Sequence, residues 1–167
     1  MIKYVTSFAI GLMILSSCGI EIDIYDKAKN VRAKEFDAGR CTDLVTKEKK
    51  KRKSPSGFVY QTDFFRIQES TDSIEAKVGA QFGIEYMIIS NEQQWVPIKT
   101  EWTFPSPIVN QHGKSFDKFS FKNSELSRER TYLTIKLSHP AMIVKGEWQL
   151  KLYHKRKVIL EKSFYLY

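Results

Sequence analysis

The chain has 167 residues, a net charge of +8 at pH 7 and an aromatic content of 13%. A composition that is basic and rich in aromatic residues excludes a disordered chain. The length corresponds to one domain, which is large enough to bury a sizeable core.

The first 17 residues have the form of an export signal rather than of a folded segment. Lys3 supplies a positive charge, residues 5–15 supply the apolar region, and Ser16 and Ser17 are small. The segment is short for a membrane-spanning helix, which needs about 20 apolar residues. Residues 1–17 are therefore predicted to be a cleaved signal peptide.

The pattern Leu15-Ser16-Ser17-Cys18 resembles the lipobox of bacterial lipoproteins. The resemblance implies cleavage between Ser17 and Cys18 and lipidation of the Cys18 thiol, with palmitate-like acyl chains that hold the protein in a lipid bilayer. Gly19 follows the cysteine, which favours the outer membrane or cell surface of the bacterial cell envelope over the inner membrane or cytoplasm. An ordinary secretory signal with a chance cysteine is the alternative.

Lipid on Cys18 would leave Cys41 without an intramolecular disulfide partner. Cys41 lies in a strand-like stretch, so we expect it to be a small buried residue. A Cys18–Cys41 disulfide is the alternative and requires that Cys18 is not acylated. Residues 18–35 are predicted to be the lipidated cysteine followed by a polar tether or an edge strand.

Residues 36–167 alternate apolar and polar side chains with the period of β-strands. Two longer connections are predicted, a basic loop at 47–57 and a second loop at 105–118, and residues 154–157 are predicted to form a turn. Seven or eight short strands over this length favour an all-β, antiparallel β-sandwich. The clearest apolar faces are Phe82-Ile84-Tyr86-Ile88, Ile98-Trp102-Phe104, Leu133-Ile135-Leu137, Trp148-Leu150-Leu152 and Val158-Leu160-Phe164-Leu166.

Four short motifs point to one family. Residues 74–86 read I-x-A-x-x-G-x-x-F-G-x-x-Y, residues 102–105 read W-x-F-P, residues 146–148 read G-x-W, and residues 162–164 read x-S-F. Together they resemble an uncharacterised family of immunoglobulin-like domains in exported bacterial proteins, over roughly residues 36–167. The resemblance implies an immunoglobulin-like sandwich without known catalytic residues, and it implies no substrate.

No catalytic or metal-binding signature accompanies these motifs. His112, His139 and His154 are far apart in the sequence, and we expect all three to be exposed loop residues rather than metal ligands. Glu85, Glu101 and Glu147 fall on the polar faces of strands, where a solvated carboxylate is the default. We therefore predict a protein that is not an enzyme and has no cofactor and no bound metal.

The three tryptophans fall into two classes. Trp102 and Trp148 share the spacing of core residues, whereas Trp95 follows a polar turn and is predicted to be exposed. If the domain recognises a glycan or a peptide through loops at one end, we expect Trp95, His112 and the 105–118 loop to make the contact.

The strongest surface feature is the basic run formed by Lys47, Lys49, Lys50, Lys51, Arg52 and Lys53. It is interpreted first as a solvated loop and second as a contact for an anionic surface, either lipid headgroups or an envelope polymer. Nucleic acid is not an expected partner, because export and the lack of interleaved aromatic residues argue against it.

These observations favour a membrane-anchored lipoprotein that carries a non-catalytic β-sandwich with a binding or structural role. A glycan- or peptide-recognition module is the alternative, and an envelope hydrolase is a weaker one. The sequence predicts no particular protein partner.

Overall fold

The computed structural model describes residues 30–50 and 53–167, with the backbone alone at 43–50 and 58–64. The predicted signal peptide, Cys18 and the tether up to residue 29 lie outside the described residues. The described elements are β1 Arg32–Lys50, β2 Phe58–Ser70, β3 Ser73–Ile74, β4 Gln81–Ile89, β5 Trp95–Val109, β6 Ser115–Leu126, β7 Arg130–Lys136, a short 3₁₀ helix Pro140–Met142, β8 Gly146–His154 and β9 Lys157–Leu166.

The strands form two sheets, as the sequence pattern predicts. One sheet has the order β2-β1-β4-β7 and the other has the order β3-β9-β8-β5-β6. All pairings are antiparallel except that of the two-residue β3, which runs parallel to β9. The prediction of an all-β sandwich is therefore confirmed.

The core lies between the two sheets, where the apolar side chains of each strand face inward. Phe82 of β4 is fully buried at the centre of this core. Its ring lies 5.8 Å from the rings of Trp102 and Trp148 and 5.0 Å from that of Phe164. The period-two alternation therefore located most of the core and placed Trp102 and Trp148 within it. Cys41 is also buried, as expected. Val158, predicted to share the apolar face of β9, is instead exposed, because the β8–β9 register shifts between Leu152 and Tyr153.

The hairpin formed by β1 and β2 curls across the outer face of the four-stranded sheet. Phe65 of β2 stacks on Tyr132 of β7 with ring centroids 4.7 Å apart, although these two strands are the outermost of the sheet. Register shifts in β1 after Arg40 and after Leu44 provide the bends. As a result, Gln81 and Gly83 of β4 are buried on a face that would otherwise be open to solvent.

Both predicted loops are shorter in the structure. The stretch 105–118 consists of the end of β5, a turn at 110–114 and the start of β6. Its prolines suggested a loop, but they fall in the register shift between Thr103 and Ile108, where β5 is not paired with β6. The predicted basic loop likewise begins only after Lys50, and β1 starts at Arg32, before the predicted domain boundary at residue 36.

Candidate functional site

The predicted basic run lies at the far end of the β1–β2 hairpin. Its first three lysines occupy the end of β1, whereas the sequence analysis placed them in a loop. Lys53 is exposed in the connection, and residues 51–52 lie outside the described residues. We call residues 47–53 the basic tip.

Asn110 connects the basic tip to the turn between β5 and β6. Its side chain is buried, and its Oδ1 accepts hydrogen bonds from the backbone N–H groups of His112 and Lys114 at 2.9 and 3.1 Å. Its Nδ2 donates to the carbonyl of Ser54, just after the basic tip, at 3.1 Å. The tips of two hairpins from different sheets are thereby joined. The sequence does not predict this role of Asn110, because asparagine is common in turns and the contact with Ser54 joins residues distant in the chain.

Trp95 lies at the opposite end of β5, on a platform made by two loops, 90–94 and 127–129. The Ser127 hydroxyl accepts a hydrogen bond from a backbone N–H of the first loop and donates one to a carbonyl of the same loop, both at 3.0 Å. Arg128 Nε donates to another carbonyl of that loop at 3.2 Å. At this position the side chain of Trp95 is 70% exposed, which agrees with its predicted exposure.

The β8–β9 turn lies beside this platform. His154 is buried, and its Nδ1 lies 3.1 Å from the carbonyl oxygen of Pro97, close to Trp95. The expectation that His154 is exposed is therefore wrong, because it is the last residue of β8 and continues the inward-facing series of that strand. The next three residues, Lys155, Arg156 and Lys157, are all exposed.

The described chain also begins at this end of the sandwich. Arg32, at the start of β1, pairs with Ile89, at the end of β4, and the chain then continues into the platform of Trp95. We call this end, comprising residues 30–32, 90–95, 127–129 and 154–157, the Trp95 end.

Trp95 and His112 do not share an end of the molecule. Trp95 begins β5 and His112 lies in the turn after it, where it is exposed beside the basic tip. The regular part of β5, from Trp95 to Thr103, alone spans about 26 Å. One ligand site that uses both side chains, as the recognition interpretation requires, is not formed.

The strand carboxylates do not converge either. Glu101 and Glu147 lie on the outer face of the five-stranded sheet, and Glu85 lies on the outer face of the four-stranded sheet. Glu101 pairs with Lys151, which is four residues and about 13 Å along β8 from Glu147. Glu101 is buried rather than solvated as expected: Lys99 Nζ lies 2.7 Å from its Oε2, Lys118 Nζ lies 3.7 Å from the same atom, and the Tyr153 hydroxyl donates to Oε1 at 3.4 Å. Two carboxylates on opposite faces of a sandwich cannot flank one glycosidic bond.

Among the side chains that the structure describes, three groups have clearly shifted pKa values. The hydrogen bond from Lys99 lowers the pKa of Glu101, and this effect outweighs its partial burial. Burial raises the pKa of Tyr86, and Glu125 raises it further. Burial alone would lower the pKa of Lys162, but its ion pairs with Asp72 and Glu35 raise it overall.

A cleft of about 340 Å³ lies at the edge of the four-stranded sheet and is bordered by Cys41 and Gln81. Gln81 Nε2 is buried and has no hydrogen-bond partner. No histidine lines the cleft. An imidazole is the group that commonly activates a catalytic cysteine, and the lining of this cleft does not include one.

Metal-binding clusters and membrane-spanning helices are both missing from the described part of the chain. Within residues 30–50 and 53–167, no three His, Cys, Asp or Glu side chains are grouped so that they could hold a metal ion. Over the same residues, no helix has the length and apolar character needed to cross a bilayer.

Comparison with known families identifies the class. A model of a domain of unknown function, DUF3859, matches residues 42–166, and the chain therefore belongs to this family. No curated protein matches the sequence.

Among solved structures, the chain is similar to an immunoglobulin-like protein (PA1606) from Pseudomonas aeruginosa. The TM-score is 0.59 at 20% sequence identity, and the match covers 83% of this chain and 97% of the other. At this identity the likeness establishes the fold, which is immunoglobulin-like. A second match, with a TM-score of 0.37 and 12% identity, is to the DNA-bound alkylpurine DNA glycosylase AlkC of Pseudomonas fluorescens, and it covers 57% of this chain and 27% of that one. The second likeness is too weak to support an argument.

Proposed function

We propose that this protein is a lipid-anchored, non-catalytic component of the bacterial cell envelope, and that it presents the basic tip to a polyanionic surface away from its own membrane. The anchor is supported by Leu15-Ser16-Ser17-Cys18 and by the apolar segment before it. Two or more acyl chains on Cys18 would give stable attachment to the bilayer.

The observation that carries the proposal is that the chain enters the sandwich at one end and the basic tip lies at the opposite end. Cys18 precedes Asn30 by twelve positions, and Asn30 lies at the Trp95 end. If this segment is the tether that the sequence predicts, it would span roughly 19 Å. The basic tip lies at the other end, where the Ser54 carbonyl meets Asn110. Charges at the basic tip act over only about 8 Å at physiological salt, so they would act on a surface other than the anchoring leaflet.

A non-catalytic role is supported by how the polar groups are distributed. Glu85 and Glu101 lie on opposite faces of the molecule, and the cleft beside Cys41 is not lined by a histidine. Membership of a family of unknown function with an immunoglobulin-like fold is consistent with a binding or structural module. The functional part of such a module is its surface.

The anchor is tested by metabolic labelling with an alkynyl fatty acid in a bacterial host. We expect the wild-type protein to be labelled and to sediment with membranes, and Cys18→Ala to lose both properties. Cys41→Ala is the matched control, because it removes a buried thiol and should leave labelling unchanged. Labelling that persists in Cys18→Ala would contradict the anchor.

The basic tip is tested with the full lipidated protein held in zwitterionic vesicles. We expect these vesicles to capture soluble polyphosphate or a second set of vesicles rich in phosphatidylglycerol, and the preferred probe distinguishes a polymer from a membrane. A variant with Lys47, Lys49, Lys50 and Lys53 changed to Ala should lose roughly fivefold in affinity per lysine in contact. The matched control changes four exposed lysines elsewhere, namely Lys77, Lys118, Lys122 and Lys145. An equal loss in both variants would show that only net charge matters and would overturn the assignment to the tip.

A further inference from the structure

The most exposed large aromatic side chain in the described part of the chain is that of Trp95. Its indole is 70% exposed, whereas Trp102 and Trp148 are almost completely buried. The indole is apolar over most of its surface and carries one N–H donor, so it favours the boundary between a bilayer and water. Because Ser127 and Arg128 hold the loops beneath it, Trp95 is presented on a fixed platform.

A basic turn lies beside the start of β5, on the side of β8. The contact between His154 and Pro97 fixes the β8–β9 turn beside the start of β5. Lys155, Arg156 and Lys157 project from that turn and are exposed, and Lys155 has a φ of 55° that keeps the turn tight. The sequence pattern predicts this turn, but its position next to an exposed tryptophan depends on the pairing of β5 with β8.

The acidic groups nearby do not cancel this charge. Glu92 and Glu129 belong to the two platform loops, and Glu129 accepts a hydrogen bond from Gln93 at 3.0 Å. A third carboxylate, Glu125, lies near the end of β6 and pairs with Val96. Against them stand Arg32, Arg128 and the three basic residues of the turn. The Trp95 end thus combines an interfacial aromatic residue with an excess of cations, which matches an anionic leaflet.

We propose that the Trp95 end is a membrane-contact surface that docks on the anionic headgroups of the leaflet in which the protein is anchored. The inference rests on the proposed acylation of Cys18, because the chain enters the described domain at this end and a tether from Cys18 to Asn30 would span roughly 19 Å. Trp95 inserts at the headgroup boundary, and the turn 155–157 binds phosphate groups beside it. The sandwich consequently stands on its Trp95 end, and the basic tip points away from the bilayer.

The test uses the full lipidated protein in vesicles that contain phosphatidylglycerol and a phospholipid brominated on its acyl chains. Bromine quenches a tryptophan only at short range, and the two buried tryptophans serve as an internal reference. We expect brominated lipid to quench part of the emission, and we expect this part to be absent in Trp95→Phe. Quenching should also fall when Lys155, Arg156 and Lys157 are changed to Ala, when phosphatidylglycerol is replaced by a zwitterionic lipid, or when the salt is raised to 1 M.

The control is a variant in which Lys47, Lys49 and Lys50 are changed to Ala, which removes the same number of charges from the basic tip. This control should quench like the wild type. Equal quenching of wild type and Trp95→Phe, in protein that is shown to be acylated, would overturn the docking surface and leave the anchor intact. Protein that is not acylated would instead overturn the proposed function, and the docking surface with it.

Discussion

At the scale of single residues, Gly83 shows how a missing side chain lets two strands approach. A Cβ at this position would lie 2.1 Å from the carbonyl oxygen of Leu133 and 2.9 Å from the Cα of Thr134, both in the backbone of β7. The aromatic stack of Phe65 on Tyr132 lies across the same face of the sheet. The glycine in the F-G-x-x-Y motif thus has a physical cause, which is contact with a strand distant in sequence.

We expect Gly83→Ala to lower the free energy of unfolding by about 3 kcal/mol, because the collision involves backbone that cannot move aside without disturbing the β4–β7 pairing. Urea unfolding followed by circular dichroism measures the loss. Gly79→Ala is the control: no atom lies within 4 Å of the added Cβ, although a φ of +90° is itself unfavourable. That strain should cost about 1–2 kcal/mol. A smaller loss at Gly83 than at Gly79 would contradict the close approach of β4 and β7.

The negative charge of Glu101 is stabilised by the lysines next to it. The hydrogen bond from Lys99 holds the pKa of Glu101 below its usual range. A carboxylate whose pKa is lower in the folded than in the unfolded state adds stability above the unfolded pKa, and this contribution is lost as the pH falls through the folded pKa.

We therefore expect Glu101→Gln to reduce stability by about 1 kcal/mol at pH 7 and by less at pH 3, because pH 3 lies below the unfolded pKa of a glutamate and the stabilising contribution is lost as the pH falls toward the lowered folded pKa. Urea unfolding at both pH values provides the comparison. Glu161→Gln is the control, since the side chain of Glu161 is 48% exposed and lies 3.5 Å from Lys151. If the loss for Glu101→Gln is the same at pH 3 as at pH 7, the charge of Glu101 does not stabilise the fold.

At the scale of elements, two hairpins from different sheets meet at one end of the sandwich. The β1–β2 hairpin carries the basic tip, and the β5–β6 hairpin carries the turn that contains His112. Asn110 contacts both hairpins, because its side chain hydrogen-bonds to Ser54 of the first and to His112 and Lys114 of the second. The position of the basic tip therefore depends on a residue almost sixty positions further along the chain.

We expect Asn110→Ala to cost about 2 kcal/mol, since it leaves buried backbone groups without their partners. Hydrogen exchange at the amides of His112 and Lys114 should accelerate together with the loss of stability. Asn110→Asp separates the two effects, because it retains the acceptor for the turn and removes the donor to Ser54. Asn123→Ala, at an exposed position in β6, should be nearly neutral. Unchanged exchange in Asn110→Ala would show that the turn forms without this side chain.

At the scale of the whole molecule, the sandwich has two ends with different chemistry. The Trp95 end carries an exposed indole, a basic turn and the start of the described chain, and the other end carries the basic tip beside His112. The two basic clusters lie on opposite sides of one rigid core. Under the proposed anchor, one of them faces the bilayer and the other faces the rest of the envelope.

The sequence by itself determined the all-β class, the core and the exposure of Trp95. These features are local, because alternation along a strand decides which side chains face inward, and Trp102 and Trp148 follow that alternation. The alternation in β8 also predicts that His154 faces inward. His154 was instead assigned to the turn at residues 154–157, and it was therefore expected to be exposed.

Only the tertiary structure decided which residues distant in the chain become neighbours. Strand order separates Trp95 from His112, brings the turn 155–157 next to Trp95, and places Glu85 and Glu101 on opposite faces. The pairing of β5 with β8 and the bend of the β1–β2 hairpin join residues distant in the chain, and no spacing within one strand encodes such contacts. The candidate surfaces of this protein are therefore products of its topology, whereas its core is a product of its local pattern.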